Sequence, residues 1–300
     1  MTDGFHALTT SVAFQGRSFV LYSEVHPEDK LGDKKVQKRY LKALEDILPN
    51  GCSPVLVFDA GFGHEFFKAV VRHQGWDFVS RLRGNRLLCK EGTSDWLSCK
   101  DVRDRATNQA VEQGRWQVRK TKASGRHYRL ITYRKKLGKK RSSKSKADSF
   151  AVRGYKARAR EPWLLATSLS ECSATHIVFL YSQRMQIEEN FRDLKNHRFG
   201  WSLRHVRSGS AKRLNVLLLI AAFAMLVTLL LGRMAEQRGH HRRYQSNTIS
   251  KRRVLSFFVL GQLILQRHDV AWISEYDLHE ELCIVRQVFA NMGSMYAIDN

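Results

Sequence analysis

Over 300 residues the chain carries 51 Lys and Arg against 28 Asp and Glu, a net charge of +23. A field that positive points to a polyanionic partner, either nucleic acid or an anionic membrane surface. Hydrophobic content of 43% excludes a disordered chain, and this length can bury a substantial core in one large domain or two smaller ones. The five cysteines, Cys52, Cys89, Cys99, Cys172 and Cys283, are odd in number, scattered, and form no Cys-x-x-Cys pair. They exclude a disulfide framework, give no zinc signature and fit a reducing cytosol. The opening Met-Thr-Asp-Gly-Phe-His reads as neither a signal peptide nor a transit peptide.

In chain order, 7–14 and 18–25 have strand composition. Gln15-Gly16-Arg17 between them is a hairpin turn signal, so the two should pair antiparallel. Apolar residues at Val36, Tyr40, Leu41, Leu44 and Ile47 predict a helix over 33–47. Val55-Leu-Val-Phe-Asp59 is a short continuous apolar run, as in a strand buried on both faces, and it ends in an acid before Ala60-Gly61-Phe62-Gly63. A helix over 65–73 and a strand over 78–83 complete a strand–helix–strand unit, most simply parallel. Asp59 then lies at the carboxyl edge, where open α/β sheets place ligands; an acid before Ala-Gly also serves simply as a loop or helix cap.

From about residue 86 the character changes. Segments such as 115–119 and 127–133 alternate with polar turns, which predicts an antiparallel β insertion. Residues 134–146 form a basic, low-complexity loop whose cations suit phosphate contacts or simple solubility. Glu161-Pro162-Trp163 opens another apolar strand through Ser168, with the proline at its start. An exposed Trp163 ring suits stacking on an unpaired base, and a buried one suits a core.

Tyr181-Ser-Gln-Arg184-Met-Gln-Ile-Glu188-Glu-Asn-Phe-Arg192-Asp-Leu-Lys195 lacks Gly and Pro and should be helical. At about 100° per residue, Tyr181, Arg184, Glu188, Arg192 and Lys195 share an arc of roughly 80°. One carboxylate thus sits in a stripe of cations and a phenol, which suits a metal-binding acid held beside a phosphate backbone. The same spacing also suits a solvated helix with ordinary ion pairs. The run 216–231 is almost wholly apolar and bounded by Lys212, Arg213, Asn215 and Arg233. It is shorter than the roughly 20 residues of a membrane span and reads as a buried core helix, with a transmembrane anchor as the alternative. A basic link follows over 238–244, with His240-His241 read as a surface pair, and 249–268 and 276–292 read as two closing helices.

Two carboxylates, Asp59 on a strand end and Glu188 on a distant helix, are the candidates for chemistry. Phosphodiester cleavage commonly uses two magnesium ions held by carboxylates from separate elements. The spacing Tyr181-x2-Arg184-x3-Glu188-x6-Lys195 resembles the Tyr-Arg-Glu-Lys signature of bacterial insertion-sequence transposases, the group named after insertion sequence four. Gly16-Arg-Ser18, Asp59-Ala-Gly-Phe62, Ser80-Arg-Leu-Arg-Gly84, Glu161-Pro-Trp-Leu-Leu-Ala-Thr167 and Leu203-Arg-His205 extend the resemblance over nearly the whole chain.

That resemblance implies an α/β fold: an RNase H-like catalytic core with a β-rich insertion and a helical C-terminal region. Core segments would be 1–85 and 171–235, with the insertion at 86–170 and closing helices at 236–300. It implies a DDE transposase that cuts and joins DNA at transposon ends with Mg²⁺, or Mn²⁺ in its place. Asp59 and Glu188 would be catalytic metal ligands. Tyr181, Arg184, Arg192 and Lys195 would contact DNA, and Trp163 would hold a flipped base. The partners would be double-stranded DNA, at the transposon ends and the target, and a second copy in a synaptic complex, with no membrane; the setting would be the bacterial cytoplasm and nucleoid. The family's first catalytic aspartate, on a strand upstream of the hairpin, has no counterpart here, and Asp3 is the only acid before 7–14. The expectation is therefore an N-terminally truncated chain, with a catalytically inactive DNA-binding remnant as the alternative function.

Overall fold

The computed structural model describes residues 4–119, 125–136, 161–195, 208–246, 248–249 and 252–296. Asp3, His197, the segment 203–205 and the basic loop beyond residue 136 lie outside the described residues. The chain divides into two compact units, Gly32–Arg184, and Met1–Leu31 together with Met185–Asp299.

The first of these is built on a seven-stranded sheet. Helix α1 (Lys34–Ile47) starts where Asp33 accepts the amide protons of Lys35 and Val36, and it buries Tyr40, Leu41 and Leu44. Strand β3 (Val55–Phe58), helix α2 (His64–His73) and strand β4 (Asp77–Arg81) follow, and β3 pairs with β4 in parallel, Val55 opposite Asp77. Strands β5 (Leu87–Lys90), β6 (Trp96–Ser98), β7 (Val111–Arg119), β8 (His127–Tyr133) and β9 (Trp163–Thr167) continue the sheet in the order β3-β4-β9-β8-β7-β5-β6. The short helix α3 (Cys99–Arg103) starts from a capping box between Ser98 and Asp101.

The join is β9, antiparallel both to β4, Val79 opposite Thr167, and to β8, Arg129 opposite Thr167. Phe78, Val79, Leu130, Ile131, Leu164 and Leu165 are sealed from solvent at its centre. The strand–helix–strand unit and the strands of the expected insertion therefore form one sheet, with β3 and β6 at its edges.

In the other unit, strands β1 (Phe5–Phe14) and β2 (Arg17–Pro27) form a separate two-stranded antiparallel sheet. Their two-residue loop has positive φ at both Gln15 (45°) and Gly16 (90°), the geometry that matches the strands' own twist. Side-chain amides finish the strand edge. Asn190 accepts the Ser18 amide proton (3.1 Å) and donates to the Ser18 hydroxyl (2.8 Å), and Asn215 accepts the Val25 amide proton (2.8 Å).

Helix α4 (Ala174–Lys195) is longer than the expected 181–195. Its start is Ser173, whose hydroxyl accepts the His176 amide proton. Helix α5 (Ala211–Gln237) likewise outgrows the apolar run 216–231. By length and composition alone it could cross a membrane. Residues 228–235 are buried, whereas Val216, Leu219, Ile220 and Phe223 are exposed, so only part of its first half is packed as the core helix expectation had it.

Helix α6 (Phe257–Gln266) is shorter than the expected 249–268, because Ser256 caps it at the Val259 amide and the described residues before it are not helical. It crosses α5 backbone to backbone. A Cβ on Gly232 would stand 1.9 Å from the Phe257 carbonyl oxygen, and one on Gly261 would stand 2.0 Å from that of Thr228. Helix α7 (Glu275–Tyr296) closes the chain. The link before α6 corrects one expectation. Gly239, in the left-handed region, leads into a 3-10 turn over His240–Arg243. That turn buries His241 and stacks His240 on Trp272 at 4.6 Å, so the pair is not simply a surface feature.

Candidate functional site

Asp59 follows β3 directly, and its carboxylate is exposed. Oδ1 accepts the Gly61 amide proton at 2.9 Å, so the acid caps its own loop, as short acids do. Gly61 permits this fold-back, since a Cβ there would stand 3.0 Å from that same oxygen. The loop is fixed from behind by Arg86, which is buried and donates to the carbonyls of Ala60 (3.2 Å) and Phe62 (2.7 Å). Burial lowers the Arg86 pKa from its ordinary value, and two carbonyl oxygens take the protons of its Nη2. Among the described residues no ion pair engages Asp59. It is an exposed, hard oxygen donor on a rigid loop, and that donor chemistry fits a magnesium-type ion.

Tyr181 is in the same unit as Asp59 and is only 4% exposed. Its ring meets Trp163 edge-on at 4.8 Å, and Trp163 in turn lies 5.7 Å from Tyr133. Trp163 is half-buried between these two rings. The Arg184 guanidinium lies 5.8 Å from the Tyr181 ring centroid. Burial pushes the Tyr181 phenol up, the Arg184 and Arg81 charges oppose that, and Asp59 reinforces it. The phenol therefore stays protonated and keeps its hydroxyl as a hydrogen-bond donor.

Glu188 and Arg192 lie on the second half of α4, in the other unit. Glu188 is half-buried, and Arg192 is exposed and paired with Glu189 at 2.9 Å. Lys195 ends the helix. The structure thus brings Asp59, Tyr181, Arg184 and Trp163 together within one unit and puts Glu188, Arg192 and Lys195 in the other. Helix α4 belongs to both. Ile177, Leu180 and Tyr181 are buried in its first half, and Asn190, Asp193 and Leu194 in its second. Among the described residues no group of three His, Cys, Asp or Glu is gathered as a metal cage.

The family model for the transposase DDE domain matches residues 3–225. The chain belongs to that family. The matched stretch takes in β1 through the first half of α5, and so includes both Asp59 and Glu188. Transposases of this family cleave DNA and transfer strands, they bind DNA, and they usually use divalent metal ions. No curated protein matches the chain.

Within the transposase domain, sequence reasoning quoted Arg81, Arg83 and Glu161 within motifs but gave them no role, and it passed over Arg103. Glu161 takes ion pairs from all three arginines, at 3.2, 2.5 and 3.0 Å. The available signals were the period-two spacing of Arg81 and Arg83 at a strand end, and an acid two residues before Trp163 on a strand. Arg86, which braces the Asp59 loop, carried no signal beyond its charge.

Proposed function

We propose that this chain is a DNA transposase of the insertion-sequence type, cutting DNA at the ends of its element and joining those ends to a target. The observation that carries the reading is Asp59: an exposed carboxylate with no ion-pair partner among the described residues, on a braced strand-end loop, with the Tyr181, Arg184 and Trp163 constellation in the same unit. In this reading Asp59 and Glu188 hold the metal, Mg²⁺ or Mn²⁺. Those carboxylates would hold the ion where it would supply Lewis-acid activation of the attacking oxygen and charge stabilisation of the leaving one.

The chain's own residues do the rest. Gly61 and Arg86 keep Asp59 oriented. The protonated Tyr181 phenol and Arg184 engage the DNA end, Arg192 and Lys195 extend the contact along α4, and Trp163 receives an unpaired base. In this reading the fold is RNase H-like, with core segments 1–85 and 171–235, a β insertion at 86–170 and closing helices at 236–300. Cut-and-paste transposition, a synaptic assembly of two copies and residence at the bacterial nucleoid belong to the same reading, as does membership in the Tyr-Arg-Glu-Lys signature group.

The test is donor cleavage of matched element ends in Mg²⁺ or Mn²⁺, with Asp59→Ala and Glu188→Ala beside the unaltered chain. Each substitution should lower the rate by about a hundredfold or more, the scale on which removing a charge-stabilising group acts, while DNA binding persists. Unchanged cleavage in either variant would remove that residue from the site.

A second reading, a DNA-binding chain without strand-transfer activity, is favoured by β1 and β2 standing as a sheet of their own. Binding without cleavage by the unaltered chain would select it. Cleavage abolished by Asp3→Ala would reject it and make Asp3 a third ligand.

A further inference from the structure

Glu161 stands at the centre of a cluster with more positive than negative charge. Its Oε2 accepts from Arg83 Nη2 (2.5 Å) and pairs with Arg81 Nη2 (3.2 Å), and its Oε1 accepts from Arg103 Nη1 (3.0 Å). Arg81 is held in place from the backbone, donating to the carbonyl of Pro162 at 3.0 Å. Arg103 has one further acid within reach, Asp104 at 3.4 Å. At Glu161 itself, three guanidinium groups share one carboxylate.

Two features distinguish this cluster from a solvated ion-pair patch. Arg81 is only 8% exposed, and its Nε–H has no hydrogen-bond partner among the described residues. A buried charged donor without an acceptor costs free energy that the folded chain alone does not recover. Burial and then the Arg83 charge hold the Arg81 pKa below the usual guanidinium range, with Glu161 opposing, so the surplus positive charge is felt within the cluster. Glu161, at 26%, and Arg83, at 40%, keep the cluster open to solvent.

We propose that Arg81, Arg83 and Arg103 form a binding site for a phosphodiester, and that Glu161 occupies it as an internal stand-in which an incoming phosphate displaces. A carboxylate and a diester phosphate each offer two charged oxygens and one negative charge, and both match the planar fork of arginine. The exchange therefore conserves the acceptor count. Glu161 is a positioning residue: it gathers three cations that would otherwise repel one another, and it competes with the ligand they are gathered for. The inference rests on the reading that the domain engages nucleic acid. It concerns binding alone, so its failure leaves the cleavage test of Asp59 and Glu188 untouched.

The experiment measures binding of a short fluorescent duplex of random sequence by anisotropy over a salt series, on the full chain. Glu161→Gln should bind at least about fivefold tighter at low salt, the effect of removing one unit charge about 4 Å from a phosphate in water. The double variant Arg83→Ser with Arg103→Ser should bind more weakly, with a slope of log affinity against log salt flatter by about one, the value of a single phosphate contact. A Glu161→Gln chain with native circular dichroism and equal or weaker binding would overturn the proposal and leave Glu161 a structural brace. Should Glu161→Gln not fold, the double variant decides: reduced affinity and slope uphold the site, and unchanged values refute it. Inorganic pyrophosphate is the competitor. Displacement as effective as that by unlabelled duplex would refute a nucleic-acid ligand in favour of free phosphate, and weak displacement upholds the phosphodiester.

Discussion

Glu161, in the sheet unit, takes three arginines on two oxygens and stays partly open to solvent. Glu281, in the helical unit, pairs with Arg233 and is 2% exposed. Arg233 is itself closed in, donating to Gln15 Oε1 at 3.2 Å and lying 5.9 Å from the Phe14 ring centroid. Both are glutamate–arginine contacts, yet only the first has surplus cations and a route for exchange. A pair sealed from solvent gives a ligand no way in. Stoichiometry and exposure, rather than the presence of an ion pair, separate a binding cluster from a brace.

The sharpest way to break that comparison is Glu281→Ala. Removing one partner of a buried pair strands the other charge, so unfolding by urea should show a loss of about 3–5 kcal/mol. Glu161 is partly open to solvent, and Gln keeps an acceptor oxygen there, so Glu161→Gln should cost less, about 1–2 kcal/mol, for leaving the buried Arg81 beside Arg83 without the carboxylate charge.

A smaller effect is expected at the crossing of α5 and α6. Gly261→Ala puts a methyl group against the Thr228 carbonyl, and forcing the helices apart should cost about 1–3 kcal/mol. The control is Gly209→Ala, where a Cβ meets nothing within 4 Å.

The smallest is a difference in pH response. Arg129, hydrogen-bonded to Glu112, holds that carboxyl below its ordinary value. Its folded pKa is depressed, so its contribution is present above the ordinary glutamate range and is lost as pH falls through the folded pKa. Burial instead raises Glu281, with Arg233 opposing. A raised carboxyl costs stability above its folded pKa, and that cost is relieved as pH falls. Acid titration of unfolding should therefore show Glu112→Gln with a shallower acid-side loss than the unaltered chain. An identical acid limb would show that the Glu112–Arg129 pair contributes nothing to folding.

What the sequence made legible was local. The hairpin could be read because Gln15-Gly16 carries its own turn chemistry, and β3–α2–β4 because an apolar run, a helical period and a second apolar run follow one another between Val55 and Arg81. Asp59 was visible because an acid ending an apolar strand stands out. The pairing of β4 with β9 was not visible, since Val79 and Thr167 meet across the whole of β5 to β8, and no local period encodes a partner that remote. Glu161 was hidden for the same reason. Its arginines come from a strand end and a short helix far upstream, and each in isolation reads as one more surface charge. The shared burial of α4 was hidden by its composition, because one helix serving two units presents no single apolar stripe.

The helical unit takes its first strands from the beginning of the chain and the rest from residue 185 onward. The contacts that fasten the hairpin, Arg17 to Asp193, Ser18 to Asn190 and Val25 to Asn215, span 176, 172 and 190 residues. A ribosome adding about 5–20 residues per second makes the hairpin wait roughly 10–40 s for its partners. A lone two-stranded sheet is marginal in water, so β1 and β2 pass that interval as an unprotected edge while the sheet unit is synthesised behind them. Strands β1 and β2 are thus made well before the residues that finish them, and in the cell the yield of this protein depends on what shields them meanwhile.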